Sequence, residues 1–410
     1  MYLVKVLIFA HTPPPHHGQS YMVQLLLDAL GGDARRERAD GAPGPIECYH
    51  LNARYSSGTE DIGRVRVGKF LLVLRYSVRA IYWRFRFGLD SLYYVPAFPR
   101  RAPIYRDWIA LGLCRPFFKC TIYHWHAVGL GEWLSAGARP WERWITQRIV
   151  GDADLSIVLR PFNKTDAQRL GAARIEVVPN GIPDPCPRFE TDVLPRRLAR
   201  SAVHRRLAAG EPLSERDTGQ AGSDASIFRV LFLGLCYRGK GLFDLVEAMA
   251  LAQQLLSGSP LRARLTVAGP FRSADERVEF DRRIREPDLH DAGEPVVHYR
   301  GFVSGNDKVR VLVESDCLCF PTYMPESFGL VLLEGMAFGL PLIASNSRNL
   351  PELLPPNSRG IVEPHAPEQI AAAIVSQAAA GYDPRLRSWF LDHYTERTFA
   401  RDMKRVLSSV

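Results

Sequence analysis

Short apolar runs rich in Val, Ile, Leu and Phe recur along the chain, and a stretch of helical periodicity separates most of them from the next. Strands are expected at Leu3–Ala10, Ile46–Leu51, Ser91–Val95, Cys120–Trp125, Leu155–Leu159 and Ile175–Val178 in the first half. In the second half they are expected at Phe228–Leu233, Arg264–Ala268, His298–Gly301, Asp316–Phe320, Pro341–Ala344 and Gly360–Val362. Ser20–Leu30, Trp141–Gly151, Leu242–Leu255 and Leu330–Phe338 are among the helices between them. Apolar strands joined through helices pair in parallel, with helices on both faces of the sheet. A chain of 410 residues is too long for one compact core. Two doubly wound α/β domains follow, over residues 1–185 and 227–385. Residues 186–226 are rich in Arg, Ala, Gly, Ser, Asp and Glu, with few large apolar residues after Leu207. They read as the interdomain connection, helical at Leu194–Ala208 and flexible from Gly210 to Ser226.

Cysteine use and charge narrow the class. The seven cysteines are scattered without a Cys-x-x-Cys pair, and Cys317 and Cys319 share one face of a strand as core residues. Reduced thiols and a cytoplasmic protein are expected. Met1–Ala10 reads as a strand without a basic leader or cleavage site. No apolar stretch approaches the ~20 residues of a spanning helix. The net charge of +8 is concentrated between Arg64 and Arg106, where cations alternate with Phe70, Leu71, Leu72, Tyr76, Tyr82, Trp83 and Phe85. This segment reads as a basic amphipathic helix on an anionic membrane surface, with Lys69, Arg75, Arg79 and Arg84 facing lipid and Leu71, Leu72 and Phe85 packed on the sheet. The other reading is an ordinary helix with a solvated basic face. Nucleic acid is not an expected partner, because the charge sits on one segment and no binding module accompanies it.

The chemistry concentrates in Pro-Glu-Ser-Phe-Gly-Leu-Val-Leu-Leu-Glu-Gly-Met-Ala-Phe-Gly-Leu-Pro, from Pro325 to Pro341. A strand ending at Phe320 runs through a short loop into a helix, whose free N–H groups and dipole favour an anion. Glu326 in that loop has no folding reason to be there, whereas a hydroxylated ligand would use it. Glu334 lies one to two turns into the helix and could face the same ligand.

This segment resembles the Glu-x7-Glu signature of retaining, nucleotide-sugar-dependent glycosyltransferases of family 4, which have the two-domain GT-B fold. Val177-Val-Pro-Asn-Gly-Ile182 is similar to that family's interdomain element, and Gly239-Lys-Gly-Leu-Phe-Asp-Leu-Val-Glu-Ala248 to the start of its donor-domain helix. Weaker likeness covers both halves, apart from residues near 186–226. The resemblance implies two Rossmann-like domains facing a cleft, the first on the acceptor side and the second binding the nucleotide sugar. It also implies that residues 386–410 cross back to the first domain through a helix near Tyr394–Leu407.

Ligands of open parallel sheets bind beyond the carboxyl ends of the strands, and the remaining candidates fall there. After the first strand, Gly18 permits a close phosphate approach, with Gln19 or Ser20 capping the helix. The family shows a glycine pair where this chain has His17-Gly18. His16 and His17 read as surface residues rather than metal ligands. After the fourth strand, His126 matches the histidine that the family places beside the donor sugar, and His124 is read as pointing the opposite way. After the seventh strand, Lys240 would meet the donor diphosphate. Relatives carry an arginine where this chain has Leu235, and Arg238 is the candidate replacement. Gly269, before Pro270, is expected to line the nucleotide pocket through backbone contacts. Ser327, Phe328, Gly329 and Leu330 complete the donor-binding set.

The resemblance implies a hexosyl transfer with retention, from a nucleotide-sugar donor to a glycan or lipid-linked acceptor such as a cell-envelope polysaccharide precursor. Catalytic roles fall to Glu326, His126 and Lys240, and Glu334 would bind ribose hydroxyls. The departing phosphate would serve as base. No metal and no cofactor are expected, since no Asp-x-Asp stands where a metal-dependent transferase would place one. The alternatives are a GT-B epimerase or hydrolase acting on the nucleotide sugar, and a non-catalytic nucleotide-sugar-binding protein. A peripheral position on the inner face of the membrane is expected.

Overall fold

The computed structural model describes residues 3–14, 18–36, 46–55, 67–211, 213, 221, 222 and 224–410, without the side chains of 67–69. His16, His17 and most of the polar loop Asn52–Gly63 lie outside the described residues. The chain divides into two units, unit 1 comprising residues 1–181 and 394–410, and unit 2 residues 182–393.

Unit 1 is built on β1 (Val4–Ala10), β2 (Ile46–Asn52), β3 (Ser91–Tyr94), β4 (Cys120–Trp125), β5 (Leu155–Val158) and β6 (Ile175–Val177). All are parallel, in the order β2-β1-β3-β4-β5-β6. Successive side chains go to opposite faces, and both faces are apolar. Val6, Ile8, Tyr93, Ile122 and Ile157 meet helix Gly18–Ala29 on one side. Phe399, Met403, Val406 and Leu407 of helix Glu396–Leu407 complete that layer, which ties the C-terminus into this unit. Leu7, Phe9, Leu92, Tyr94, Trp125 and Val158 point the other way, under helices Val67–Phe87, Arg101–Cys114 and Pro140–Val150.

Unit 2 carries β7 (Ile227–Leu233), β8 (Arg262–Ala268), β11 (Val297–Gly301), β12 (Cys317–Phe320), β13 (Leu342–Ser345) and β14 (Ile361–Val362). A small antiparallel pair, β9 (His290–Asp291) and β10 (Glu294–Pro295), stands apart. The main sheet is parallel throughout, in the order β11-β8-β7-β12-β13-β14. Its strand order reverses between β7 and β12, and such a point opens a crevice at the carboxyl edge. Cys317 and Cys319 are both buried in it.

Within residues 186–226 the helical part is packed, whereas most of the stretch from Gly210 to Ser226 expected to be flexible lies outside the described residues. Helix Leu194–Ala208 belongs to unit 2, where Val203 and Leu207 join the core with Phe228 and Val230. Arg200 holds Asp316 through two hydrogen bonds of 2.8 and 2.7 Å, and Arg197 donates to the Ser315 carbonyl at 2.9 Å. Buried guanidinium anchors replace the large apolar residues the segment lacks. The chain returns to unit 1 at Tyr394 rather than near residue 386. Arg387 explains the shift, since it holds Asp184 of unit 2 at 2.8 and 2.6 Å.

Candidate active site

At the reversal point of unit 2, the loop after β7 docks onto the loop after β12. The Gly239 carbonyl accepts from Thr322 Oγ1 at 3.2 Å, Tyr323 N at 3.2 Å and Met324 N at 3.1 Å. Gly241 sits in the left-handed region at φ +71°, and a Cβ there would stand 2.8 Å from the Pro321 carbonyl carbon. Only glycine lets the two backbones approach so closely. The docking brings Lys240 and Glu326 together as an ion pair, with side chains 16% and 18% exposed. The Lys240 ammonium also lies 5.0 Å from the centre of the Phe320 ring. Burial pushes it down to about 8. It is still a cation at neutral pH, and the adjoining carboxylate favours that form further.

Helix Leu330–Ala337 begins after Gly329, which is also left-handed at φ +83°. Its first residue is Leu330, where the sequence pattern also starts it. The Phe328 side chain is buried, and Asn349 Nδ2 donates to the Ser327 carbonyl at 2.8 Å, which fixes the approach to the helix. Glu334 is one turn in and pairs with Lys308 of helix Gly305–Glu314. Burial pushes the Glu334 carboxyl above its ordinary value, and Lys308 opposes part of that rise. Sequence reasoning missed Lys308, which stands in a polar stretch with no motif around it.

Two donor-side candidates are engaged elsewhere. The Arg238 guanidinium pairs with Glu279 and lies 4.5 Å over the Phe243 ring, while its backbone N–H donates to Glu276 Oε1 at 3.0 Å. Gly269 donates its N–H to the Gly301 carbonyl at 2.7 Å and accepts from Tyr299 Oη at 2.9 Å. At φ +148°, a Cβ on Gly269 would stand 2.7 Å from the Gly234 carbonyl carbon. Its backbone therefore closes the ends of β7 and β8 instead of presenting free groups.

In unit 1, His126 is the first residue after β4 and is buried. Its ring centre is 4.1 Å from that of His124. The two histidines share a face, as residues two apart on a strand must, which corrects the expectation that they diverge. Tyr93 Oη bonds His124 Nδ1, and burial holds the His124 imidazole well below its ordinary value, neutral and structural. The following loop is fixed by Asp166, which accepts from Gly129 N at 2.8 Å, Leu130 N at 3.2 Å and Gly131 N at 2.8 Å. Gly18 is the exposed first residue of its helix.

The basic segment differs from expectation. Arg84 donates to the Phe117 carbonyl at 2.8 Å and pairs with Asp90 at 2.9 Å, so it braces the fold. Leu71 and Phe85 are exposed, while Val73, Ala80 and Trp83 make the buried face. Arg75 and Arg79 are exposed, and the Lys69 side chain lies outside the described residues. Among the described residues no cluster of three His, Cys, Asp or Glu side chains could hold a metal ion. Asp152-Ala-Asp154 precedes β5, at the opposite end of the strand from the carboxyl edge.

Residues 215–378 match the family model described as glycosyl transferases group 1. D-inositol 3-phosphate glycosyltransferase of Corynebacterium kroppenstedtii is 29% identical over 165 residues, 40% of this chain and 35% of that protein. Amylovoran biosynthesis glycosyltransferase AmsK of Erwinia amylovora is 25% identical over 201 residues, 45% of this chain and 47% of its own. The chain thus spans less than half the length of these curated relatives. Among solved structures, Anabaena Alr3699/HepE in complex with UDP and glucose aligns with a TM-score of 0.61 at 18% identity, over 99% of this chain and 100% of that one. Sucrose-phosphate synthase from Thermosynechococcus elongatus aligns with a TM-score of 0.63 at 18% identity, over 99% and 98%. At such identities the likeness is one of fold, the α/β GT-B architecture with two six-stranded parallel sheets.

Proposed function

We propose that the protein is a metal-independent glycosyltransferase that moves a hexosyl group from a nucleotide-sugar donor to a glycan or lipid-linked acceptor, with retention of configuration. The observation that carries the reading is the Lys240–Glu326 pair at the strand-order reversal of unit 2, with Glu334 close behind it on the next helix. Breaking the anomeric bond places positive character on the sugar and negative charge on the departing diphosphate. Lys240 and the N–H groups opening helix Leu330–Ala337 oppose the second charge. Each such preorganised contact contributes typically ~3 kcal/mol to the transition state. Glu326 accepts hydrogen bonds from sugar hydroxyls next to the cationic centre, and Glu334 accepts from the ribose. His126 contacts the sugar, Gly18 offers backbone N–H to phosphate, and the departing phosphate oxygen takes the acceptor proton. The departing group does the work of a base, so the reaction needs no second carboxylate, and Lys240 with the helix N–H groups takes the charge a metal would otherwise neutralise. A lipid-linked acceptor for a cell-envelope glycan would place the enzyme at the inner face of a membrane.

The test is incubation with UDP- and GDP-sugars, with and without membrane extract, followed by NMR of the product anomer. UDP-sugars come first, since Alr3699/HepE holds UDP and glucose. Transfer that requires extract and retains the anomeric configuration is expected. Donor conversion without an acceptor would indicate an epimerase or hydrolase. Binding without turnover of any donor would indicate a nucleotide-sugar-binding protein.

A further inference from the structure

Helix Val67–Phe87 has two apolar faces, and the fold uses one of them. Val73, Ala80 and Trp83 pack on the sheet. On the far side Leu71, Val78, Tyr82 and Phe85 are 62%, 65%, 61% and 67% exposed. With Arg75 they recur at intervals of four and three residues, which puts them in one stripe along the helix. The stripe continues beyond the helix, since the Phe85 ring meets that of the exposed Phe117 at 5.9 Å between centres. A helix bordering only water carries polar side chains there, and a contiguous apolar stripe of this kind marks an interaction surface.

The charges around the stripe have one sign. Arg75 lies within it and Arg79 and Arg86 flank it, all three exposed, and the helix contains no acidic residue. The helix packed beside it, Arg101–Cys114, has a single acid, Asp107, which is buried. Asp107 is occupied by Tyr94 Oη at 2.8 Å, Ala97 N at 2.6 Å and Arg106 Nη2 at 2.8 Å. Asp90, just past the helix, is held between Arg84 at 2.9 Å and Lys119 at 3.2 Å. Among the described residues, Asp107 and Asp90 are thus both engaged by neighbouring donors.

We propose that this stripe is a docking face for an anionic lipid bilayer, with Leu71, Val78, Tyr82 and Phe85 entering the headgroup boundary and Arg75, Arg79 and Arg86 pairing with lipid phosphates. The combination of interfacial aromatics, aliphatic side chains and arginines on one helix face fits that boundary. A second copy of the chain is a poor occupant, because a two-fold contact would set the same arginines against themselves. No helix among the described residues is long and apolar enough to span, so the helix would lie in the plane of the surface. The sequence placed the binding in four cations with the apolar residues turned inward. The structure moves it to the apolar stripe and replaces Arg84 with Arg86.

Sedimentation with vesicles tests this without donor, acceptor or turnover, so its outcome is independent of the transfer reading. The full chain is mixed with phosphatidylcholine vesicles, with or without 30 mol% phosphatidylglycerol, at low and high salt. Sedimentation with the anionic vesicles alone, weakened by salt, is expected. Replacing Arg75, Arg79 and Arg86 together with glutamine removes three surface cations and lowers the partition coefficient roughly 100-fold. A second variant, with Leu71, Val78, Tyr82 and Phe85 changed to serine, keeps the charges and is also expected to stay in the supernatant. The changes touch exposed groups, so circular dichroism should match wild type. Wild type that stays in the supernatant at low salt overturns the proposal, as does a serine variant that binds like wild type. A wild-type dimer that the serine variant converts to monomer, without vesicle binding, would make the stripe a protein interface and would equally overturn it.

Discussion

Gly241→Ala, set against Gly258→Ala, measures how much the candidate site depends on the docking of its two loops. Both glycines are left-handed, at φ +71° and +84°. Alanine in that region costs roughly 1–2 kcal/mol at either position. The surroundings differ. A Cβ at residue 258 meets nothing within 4 Å, whereas at residue 241 it stands 2.8 Å from the Pro321 carbonyl carbon and closer still to its oxygen. Ordinary contact begins at about 3.4 Å, so one loop must retreat. Overpacking of this sort adds about 1–3 kcal/mol, which brings Gly241→Ala to about 2–5 kcal/mol. The retreat would draw Lys240 away from Glu326, and a displacement of ~1 Å in a reacting site costs about 10²-fold in rate. Native-state hydrogen exchange on peptides covering β7 and β12 reads the stability, and steady-state turnover reads the geometry. Equal protection losses in the two variants, or wild-type turnover in Gly241→Ala, would refute the claim that this contact sets the site.

Lys240→Ala is expected to lower turnover by about 10²–10³-fold, corresponding to loss of one charge-stabilising contact, and unchanged turnover in a folded variant would remove the assignment. Glu326→Gln is expected to slow turnover while tightening the nucleoside diphosphate product, as read by calorimetry; weaker product binding would contradict a repulsive Glu326. Glu334 accepts most strongly from ribose when ionised, and its carboxyl is raised by burial against the opposition of Lys308. Donor affinity should therefore fall on acidification at a higher pH than for an ordinary carboxylate, and Lys308→Ala should move that fall to higher pH still. The raised carboxyl contributes stability that is present below its unfolded pKa and lost as pH rises through its folded pKa. Glu334→Gln should accordingly melt at a higher temperature than wild type at neutral pH, with the gain vanishing in acid. Turnover in excess EDTA is expected to equal the untreated rate, and full, metal-reversible loss would overturn metal independence.

The strands were legible because a parallel strand buried on both faces must be apolar throughout its length. Runs such as Val230–Leu233 and Cys317–Phe320 have little else they can become. The loop holding Glu326 was legible for the opposite reason, since a carboxylate between Pro325 and a helix start serves no core. What escaped were contacts between distant residues. Lys308 and Glu334 lie 26 positions apart, and neither motif nor period links them. Composition showed helix Leu194–Ala208 as part of a connection because it cannot register that Arg200 and Asp316 bury together. On helix Val67–Phe87 both faces are apolar and aromatic, so the sequence did not say which of them faced the sheet. The relation of His124 to His126 was open to the alternation rule alone, which places both on one face.

The Lys240–Glu326 pair bears on the difficulty of putting a carboxylate beside an anion site. Each charge is the other's partner, so neither carries the full cost of partial burial alone. On the proposed function, a donor diphosphate would have to take Lys240 from Glu326, and that exchange would be favourable only if Glu326 received something in return. The donor's sugar hydroxyls would provide it. A nucleoside diphosphate without its sugar has nothing to give the carboxylate and brings it only repulsion. One residue pair would then favour intact donor over spent donor and help expel the product after transfer. Asparagine or glutamine at position 326 could bind the same hydroxyls, yet would lose this discrimination, which gives a physical reason for an acid in a loop that otherwise attracts negative charge.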